Sequence, residues 1–217
     1  MKFENIIFDL DGTLIDSFPG IQFSAQEAVQ SVLPGWKLPE LRSMIGPPIR
    51  QIFQRAFPDL AAQTLQALES QFRRSYDREG YRKGEIYEGV RETLDILNQK
   101  GITLFLVTNK PIAATQQILS LAAILVYFRG VLSPDIFQPP FGNKGEMAAY
   151  LLRTFRLNPE HTLLVGDSVD DREAARDCGF WFGAVTYGYG KVHLHPPASR
   201  DLVLSGFADL LPMIVPN

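Results

Sequence analysis

Apolar residues along this chain recur with two different periods, and polar groups gather where one period gives way to the other. Ile6, Ile7 and Phe8 form a short apolar run that stops at Asp9, and Gly12 follows closely, so a buried strand is expected to end in a turn there. Helical spacing comes next. Ile21, Ala25, Ala28 and Val32 share one face before Pro34 and Gly35 end the pattern; Ile49, Ile52, Phe53, Ala56 and Phe57 share another between Gly46-Pro47-Pro48 and Pro58. Leu65, Leu68, Phe72 and Tyr76 mark a third helix over roughly 60–76. No strand pattern interrupts this stretch, so residues 16–83 are expected to form a small all-helical unit inserted after the first strand.

From Gly84 the texture changes. Val90, Leu94 and Leu97 define a helix that Lys100 and Gly101 close, a cation in the last turn and a glycine at the stop. Residues 102–107 are almost continuously apolar, as in a parallel strand buried on both faces, and they run into Thr108, Asn109 and Lys110, with Pro111 suited to open a helix. Another short strand is expected at 130–133. Ala148, Leu151, Leu152 and Phe155 line a helix starting near Lys144; residues 162–165 form a strand ending on Gly166, Asp167 and Ser168. Ala174, Ala175 and Cys178 then line a short helix that Gly179 stops, and weaker strands lie at 182–186 and 202–204.

Strands alternating with helices imply right-handed crossovers and a mostly parallel sheet covered on both sides. The expected fold is therefore α/β: a Rossmann-like three-layer core made of residues 1–15 and 84–217, plus the small all-α domain over 16–83. In such sheets the site lies beyond the carboxyl ends of the strands. Asp9, Thr108 and Asp167 each fall at such an end. Period-two alternation puts Asp9 and Asp11 on one side of the chain, and two carboxylates held that close call for a cation or a shared proton, most economically a divalent metal.

Composition narrows the partner. The chain has 217 residues, 46% hydrophobic and 21% charged, an ordinary globular balance, and its formal net charge of -3 gives no basic field for nucleic acid or an acidic membrane. The longest apolar-looking run, 118–128, is interrupted by Ser120 and is shorter than the roughly 18 residues of a membrane span, so it reads as a buried helix end and its exit. The single Cys178 forms no intramolecular disulfide, and the N-terminal pattern is a strand where a secretory signal would be basic and then apolar, which points to the cytoplasm. A small molecule is the expected partner, with the chain a monomer or homodimer.

The strand-end residues carry a specific resemblance. Asp9-Leu10-Asp11-Gly12-Thr13, Val107-Thr108-Asn109, Lys144, and Gly166-Asp167-Ser168 with Asp171 resemble the four motifs of the haloacid dehalogenase superfamily. Gly89-Val90-Arg91-Glu92-Thr93-Leu94 leading into Thr108-Asn109-Lys110-Pro111 is similar to its phosphoglycolate phosphatase-like branch, in which a helical cap sits between the first and second motifs. The resemblance implies Mg2+ held by the Asp9 carboxylate, the Asp11 backbone carbonyl and the Asp167 carboxylate, with Asp171 behind them orienting bound water or the lysine. In the same reading Asp9 is the nucleophile and Asp11 the acid and base for leaving group and water. Thr108 offers a hydroxyl and a backbone amide to the phosphoryl group, Asn109 a further amide, and Lys144 a compact positive charge. Lys144 stands in Gly142-Asn143-Lys144-Gly145 where many relatives have lysine before proline, and Lys110 is its competitor. Arg50 is the candidate partner for a second anionic group of the substrate, such as the carboxylate of phosphoglycolate, with a solvated surface arginine the equally weighted alternative.

Plainer readings compete at several positions. A calcium loop shares the Asp-x-Asp-Gly opening, but its later acidic ligands are absent after Asp9. Asp170 and Glu173 suit the start of a helix, Asp171 suits both that and the site, and Thr108 and Asn109 can cap the helix after Pro111. His193 and His195 precede Pro196 and Pro197 without a third ligand, so they read as a loop, not a zinc site. Cys178 reads as a small apolar packing residue. The expected function is a Mg2+-dependent phosphatase acting on a small phosphorylated metabolite through an aspartyl-phosphate. A sugar phosphomutase, a pyrophosphatase or nucleotidase, and a metal-binding regulatory protein without turnover are the alternatives; Asp11 disfavours a dehalogenase.

Overall fold

The computed structural model describes residues 3–190 and 198–214; His193 and His195 lie outside the described residues. Along the chain come β1 (Asn5–Phe8), β2 (Ile15–Asp16), α1 (Phe18–Val32), α2 (Ile49–Ala56), α3 (Ala62–Arg78), β3 (Glu85–Ile86), α4 (Val90–Gln99), β4 (Thr103–Val107), α5 (Ile112–Leu121) and β5 (Phe128–Leu132). Then follow α6 (Lys144–Phe155), β6 (Thr162–Gly166), α7 (Val169–Asp177), β7 (Trp181–Val185), β8 (Asp201–Leu204) and α8 (Leu210–Ile214).

Six strands form one sheet in the order β5-β4-β1-β6-β7-β8, and every pairing in it is parallel. Period-two alternation is visible in how the strands divide their side chains. Ile6, Phe8, Leu104, Leu106, Leu163 and Val165 join the core cluster on one face; Ile7, Phe105, Val107 and Leu164 join the cluster on the other, with Met147, Leu151 and Ala175 of the covering helices. Both faces are therefore buried, which is why these strands read as unbroken apolar runs. The chain leaves β1 towards β4 but leaves β6 towards β7, so the strand order reverses at the β1–β6 pair, the place where a parallel sheet opens a crevice.

Helices α1, α2 and α3 lie in the chain between β2 and β3 and pack on one another through Phe53, Phe72 and Tyr76, the last two rings stacked at 5.3 Å. The paths into and out of this unit are tied together by an element the sequence pattern does not show. Ile15 and Asp16 pair antiparallel with Ile86 and Glu85, two residues on each side, too short to display any period. The run 118–128 also departs from expectation. Ile118 and Leu119 are buried, but Leu121 and Val126 are exposed at 60% and 83%, and β5 begins at Phe128, two residues before the expected start. Among the described residues no helix is long and apolar enough to cross a membrane.

Candidate active site

The turn after β1 is the foundation of the site. Asp9 donates its backbone N–H to Val165 of β6 at 2.9 Å, which seats its side chain in the crevice at the strand-order reversal. The carbonyl of Leu10 then accepts from Leu14 and Ile15 at 2.9 and 3.0 Å, curling the chain back on itself. Gly12 adopts a φ of +83°, and a Cβ there would fall 2.3 Å from Asp167 Oδ2, so only glycine lets the turn lie against that carboxylate.

Four elements bring the charges together. Lys144 is the first residue of α6, a helix capped by Asn143, whose side chain accepts from the Glu146 N–H. Its ammonium, 4% exposed, sits 2.8 Å from Asp9 Oδ1 and 2.7 Å from Asp171 Oδ1. Asp171 caps α7 at the same time. Its Oδ2 accepts from the Ser168 N–H at 3.1 Å and hydroxyl at 2.5 Å, so both of its oxygens are engaged. Asp167, at the end of β6, accepts through Oδ2 from the backbone N–H groups of Tyr189 and Gly190 at 2.6 and 2.9 Å. Among the described residues Asp9 Oδ2 and Asp167 Oδ1 carry no hydrogen bond.

Asp9, Asp167 and Asp171 are all buried, and their candidate ligand atoms lie within 4.8 Å of one another, with the single ammonium of Lys144 against two of them. The excess negative charge shows in the acidities. Burial, opposed by Lys144 and reinforced by Asp171 and Asp167, lifts Asp9 well above the ordinary carboxylate range. Burial and the Asp171 charge push Asp167 up to about 6. For Lys144 burial works against the charge, but Asp171 and Asp9 outweigh it and raise the pKa. Three buried carboxylates around one ammonium, two with an oxygen left over, form a donor set that suits a hard divalent cation.

A second lysine occupies the site. Lys110, 8% exposed, lies 3.0 Å from Asp11 Oδ2 and 3.1 Å from the hydroxyl of Tyr76 on α3, while Asp11 Oδ1 accepts from the Ser17 hydroxyl. Thr108 is buried at the end of β4; its hydroxyl oxygen accepts from the Lys110 N–H. Contrary to expectation, the Thr108 backbone amide is committed to Leu132 of β5 at 3.1 Å, leaving only the hydroxyl to offer. Neither Thr108 nor Asn109 caps α5. Asp135 accepts from the Ile112 N–H at 2.9 Å instead, and Asn109 donates its side-chain amide to the Gly46 carbonyl at 3.3 Å.

These groups line a cavity of about 280 Å³ between the strand ends and α1–α3, with Asp9, Asp11, Thr108, Asn109, Lys110 and Lys144 on its polar side. Of the two readings open for Arg50, its position favours the surface arginine. It is absent from the lining, half exposed, and 3.8 Å from Glu69, because it follows Ile49, which with Ile52 faces the cavity, and one helical step of about 100° carries it outward. Arg73 of α3 is the arginine on the lining. Sequence reasoning also placed Tyr76 only as a packing residue and ranked Lys110 behind Lys144; the position of Lys110 straight after Thr108 and Asn109 was the available signal. Cys178 is buried, and burial raises its thiol pKa, in keeping with a packing role.

The site has counterparts. A family model described as haloacid dehalogenase-like hydrolase matches residues 6–185. A phosphoglycolate phosphatase of Vibrio vulnificus is 32% identical over 218 residues, covering 97% of this chain and 95% of that one. A 5'-nucleotidase of Pseudomonas aeruginosa is 29% identical over 215 residues, covering 97% of this chain and 96% of its own length. The crystal structure of a predicted phosphoglycolate phosphatase from Haemophilus somnus superposes with a TM-score of 0.85 at 30% identity, covering 98% of each chain. Matched over residues 6–185 by the family model and over nearly its whole length by these relatives, the chain belongs to the haloacid dehalogenase-like hydrolases, on their phosphoglycolate phosphatase-like branch.

Proposed function

We propose that this chain is a Mg2+-dependent phosphatase that hydrolyses a small phosphate monoester through an aspartyl-phosphate on Asp9, with phosphoglycolate the first substrate to test. The observation that carries this reading is the pairing of a buried carboxylate at the switch point of the sheet with Lys144 on one oxygen and a vacant hydrogen-bonding position on the other. Asp9 Oδ2 and Asp167 Oδ1, with the Asp11 backbone carbonyl, would hold the metal; both oxygens of Asp171 are committed, so it steers Lys144 instead. When bound, Mg2+ offsets the charge on the phosphoryl oxygens and on the acidic cluster.

The chain's own groups supply the rest. Asp9 attacks phosphorus and forms the acyl phosphate, splitting a very slow hydrolysis into two easier displacements. Lys144 and the Thr108 hydroxyl stabilise the charge that gathers on the transferring group. Asp11 gives a proton to the leaving oxygen and then takes one from the water that cleaves the acyl phosphate. Residues 16–83 act as a cap: α3 reaches the strand ends through Tyr76, and the β2–β3 ribbon gathers both connections into one hinge that closes the cavity against water.

Phosphate release from phosphoglycolate, sugar phosphates, nucleotides and pyrophosphate, with Mg2+ and with EDTA, tests the reading, with Asp9→Asn as the blank. Release that requires both metal and Asp9 is expected. Equal signals from parent and Asp9→Asn would leave only a metal-binding role.

A further inference from the structure

The cavity holds a pair of donors that the phosphoryl chemistry above does not use. An ammonium has three N–H groups. Lys110 spends one on Asp11 Oδ2 at 3.0 Å and one on the Tyr76 hydroxyl at 3.1 Å; its ammonium also lies 4.6 Å from the centre of the Tyr76 ring, and the third N–H has no hydrogen-bond acceptor among the described residues although the side chain is only 8% exposed and lines the cavity. Tyr76 is 4% exposed, and because its oxygen already accepts from Lys110, its own proton is free to be given; no acceptor for it exists among the described residues. One N–H and one O–H thus stand side by side, the first from the loop after β4, the second from α3 of the cap.

On the leaving-group side this pair is the buried set of free donors, and Asp77 and Asp135 are the acidic residues on the same lining. Ile45, Pro47, Pro48, Ile49, Ile52 and Phe72 form an apolar wall that offers nothing to a charged substituent. Arg73, the other cation on the lining outside the phosphoryl site, is half exposed and bonded to Glu69 at 2.9 Å. Arg50 is outside. A buried cation and a buried hydroxyl with donors left over match a group that brings two acceptor oxygens and a negative charge.

We propose that Lys110 and Tyr76 are the specificity-determining residues of this enzyme, together binding the carboxylate of a leaving group such as that of phosphoglycolate. This rests on the phosphatase reading for the chemistry and deepens it in naming the residues that read the leaving group. Because the two donors come from different parts of the chain, the carboxylate site is complete only when α3 lies against the strand ends, which couples recognition to closure.

Two matched pairs of compounds test it. Phosphoglycolate and ethyl phosphate differ by carboxylate against methyl; 3-phosphonopropionate and propylphosphonate repeat that difference without a bond to hydrolyse. The parent is expected to favour the carboxylated member of each pair, in kcat/KM for the esters and in calorimetric affinity, with Mg2+ present, for the phosphonates. Lys110→Met is expected to shrink that preference roughly 10- to 100-fold, the range for losing a charge-assisted hydrogen bond. Tyr76→Phe, nearly isosteric and therefore a safeguard against misfolding of the first variant, is expected to shrink it by a smaller factor, and Lys110→Arg to restore part of it. A parent that does not distinguish the pairs, or a Lys110→Met variant that weakens both members by one factor, would overturn the assignment and leave Lys110 as a prop for Asp11. Release from other members of the wider panel but not from phosphoglycolate would also overturn the assignment; release from none of them above Asp9→Asn would overturn the phosphatase reading instead, and the phosphonate pair would still decide the role of Lys110.

Discussion

Lys144 and Lys110 are both buried, and each lies against one aspartate of the Asp9-Leu10-Asp11 turn, yet they are built into the molecule differently. Lys144 is held by two carboxylates, Asp9 and Asp171, at 2.8 and 2.7 Å, and its helix, α6, belongs with both of them to the parallel α/β layer. Lys110 is held by one carboxylate, Asp11, and by a neutral hydroxyl on α3, so half of its setting arrives from the inserted helices. In both cases burial opposes the charge and the partners raise the pKa above its usual value. The difference teaches how one ammonium–carboxylate motif serves two ends. A centre closed within the sheet and its helices is fixed before substrate arrives and suits bond breaking. A centre shared across the insertion reports whether that insertion is in place, and suits selection.

The comparison breaks most readily at the Lys144 end. Asp9→Asn removes the proposed nucleophile and is expected to cost on the order of 10⁴-fold or more in kcat. Lys144→Met is expected to lower kcat by about 10²- to 10³-fold, as loss of a preorganised charge does. It is also expected to destabilise the metal-free protein by roughly 3–5 kcal/mol, since Asp9 and Asp171 are left buried without their cation. Denaturant unfolding in EDTA reads the second effect, and addition of Mg2+ should recover part of it. A Lys144→Met protein as stable as the parent without metal would mean that the three carboxylates do not repel as their burial requires.

Metal and pH sharpen the same point. Asp167 titrates at about 6 in the folded chain against an ordinary value of 3.8. Folding has raised this carboxyl, so its contribution favours the folded state below about 4, where both states are protonated, and is lost as pH rises to about 6, where the unfolded chain has already released the proton. A metal that needs the ionised carboxylate binds more tightly over the same interval. In EDTA the melting temperature should therefore decline across pH 4 to 6, and the increment given by Mg2+ should grow, by several degrees overall. An increment independent of pH would remove Asp167 from the ligand set.

How far the two centres could be read in the sequence follows the same division. Asp9, Thr108 and Asp167 are legible because an apolar run that stops on a polar residue is a local pattern, and a parallel sheet brings such stops to one edge whatever else the chain does. Lys144 and Asp171 follow because each opens a helix next to that edge. Tyr76 was legible only as part of an apolar stripe, since its hydroxyl gains a role from how α3 lies on the sheet, which no spacing within α3 encodes. Lys110 is legible as a candidate from its place straight after Thr108 and Asn109, but its pairing with Tyr76 is not. The amide of Thr108 shows the reverse error: the residue was legible, but its hydrogen bond to Leu132 depends on β5 pairing beside β4 and was not.

Lys110→Met should show a smaller stability loss than Lys144→Met, roughly 1–3 kcal/mol. Asp11 keeps the Ser17 hydroxyl and is 17% exposed, so solvent and a neutral donor take over part of what the ammonium did. Unfolding of the two variants side by side checks the order, and equal losses would erase the contrast between a centre closed within the core and one shared with the cap.

The smallest effect is expected at Arg50, the arginine that the sequence offers as a candidate for the site. Its guanidinium is about half exposed and 3.8 Å from Glu69, whose shorter bond, 2.9 Å, goes to Arg73. A long surface pair of this kind contributes within about 0.5 kcal/mol, and Glu69 keeps its closer partner when Arg50 is lost. Arg50→Ala should therefore leave unfolding within about 0.5 kcal/mol of the parent and kcat/KM for phosphoglycolate within about twofold. The measurement that matters is again the ratio to ethyl phosphate. If that ratio falls with Arg50→Ala and holds with Lys110→Met, the carboxylate is read from the rim by an arginine that swings inward, and the buried pair on the cavity floor serves only to hold Asp11.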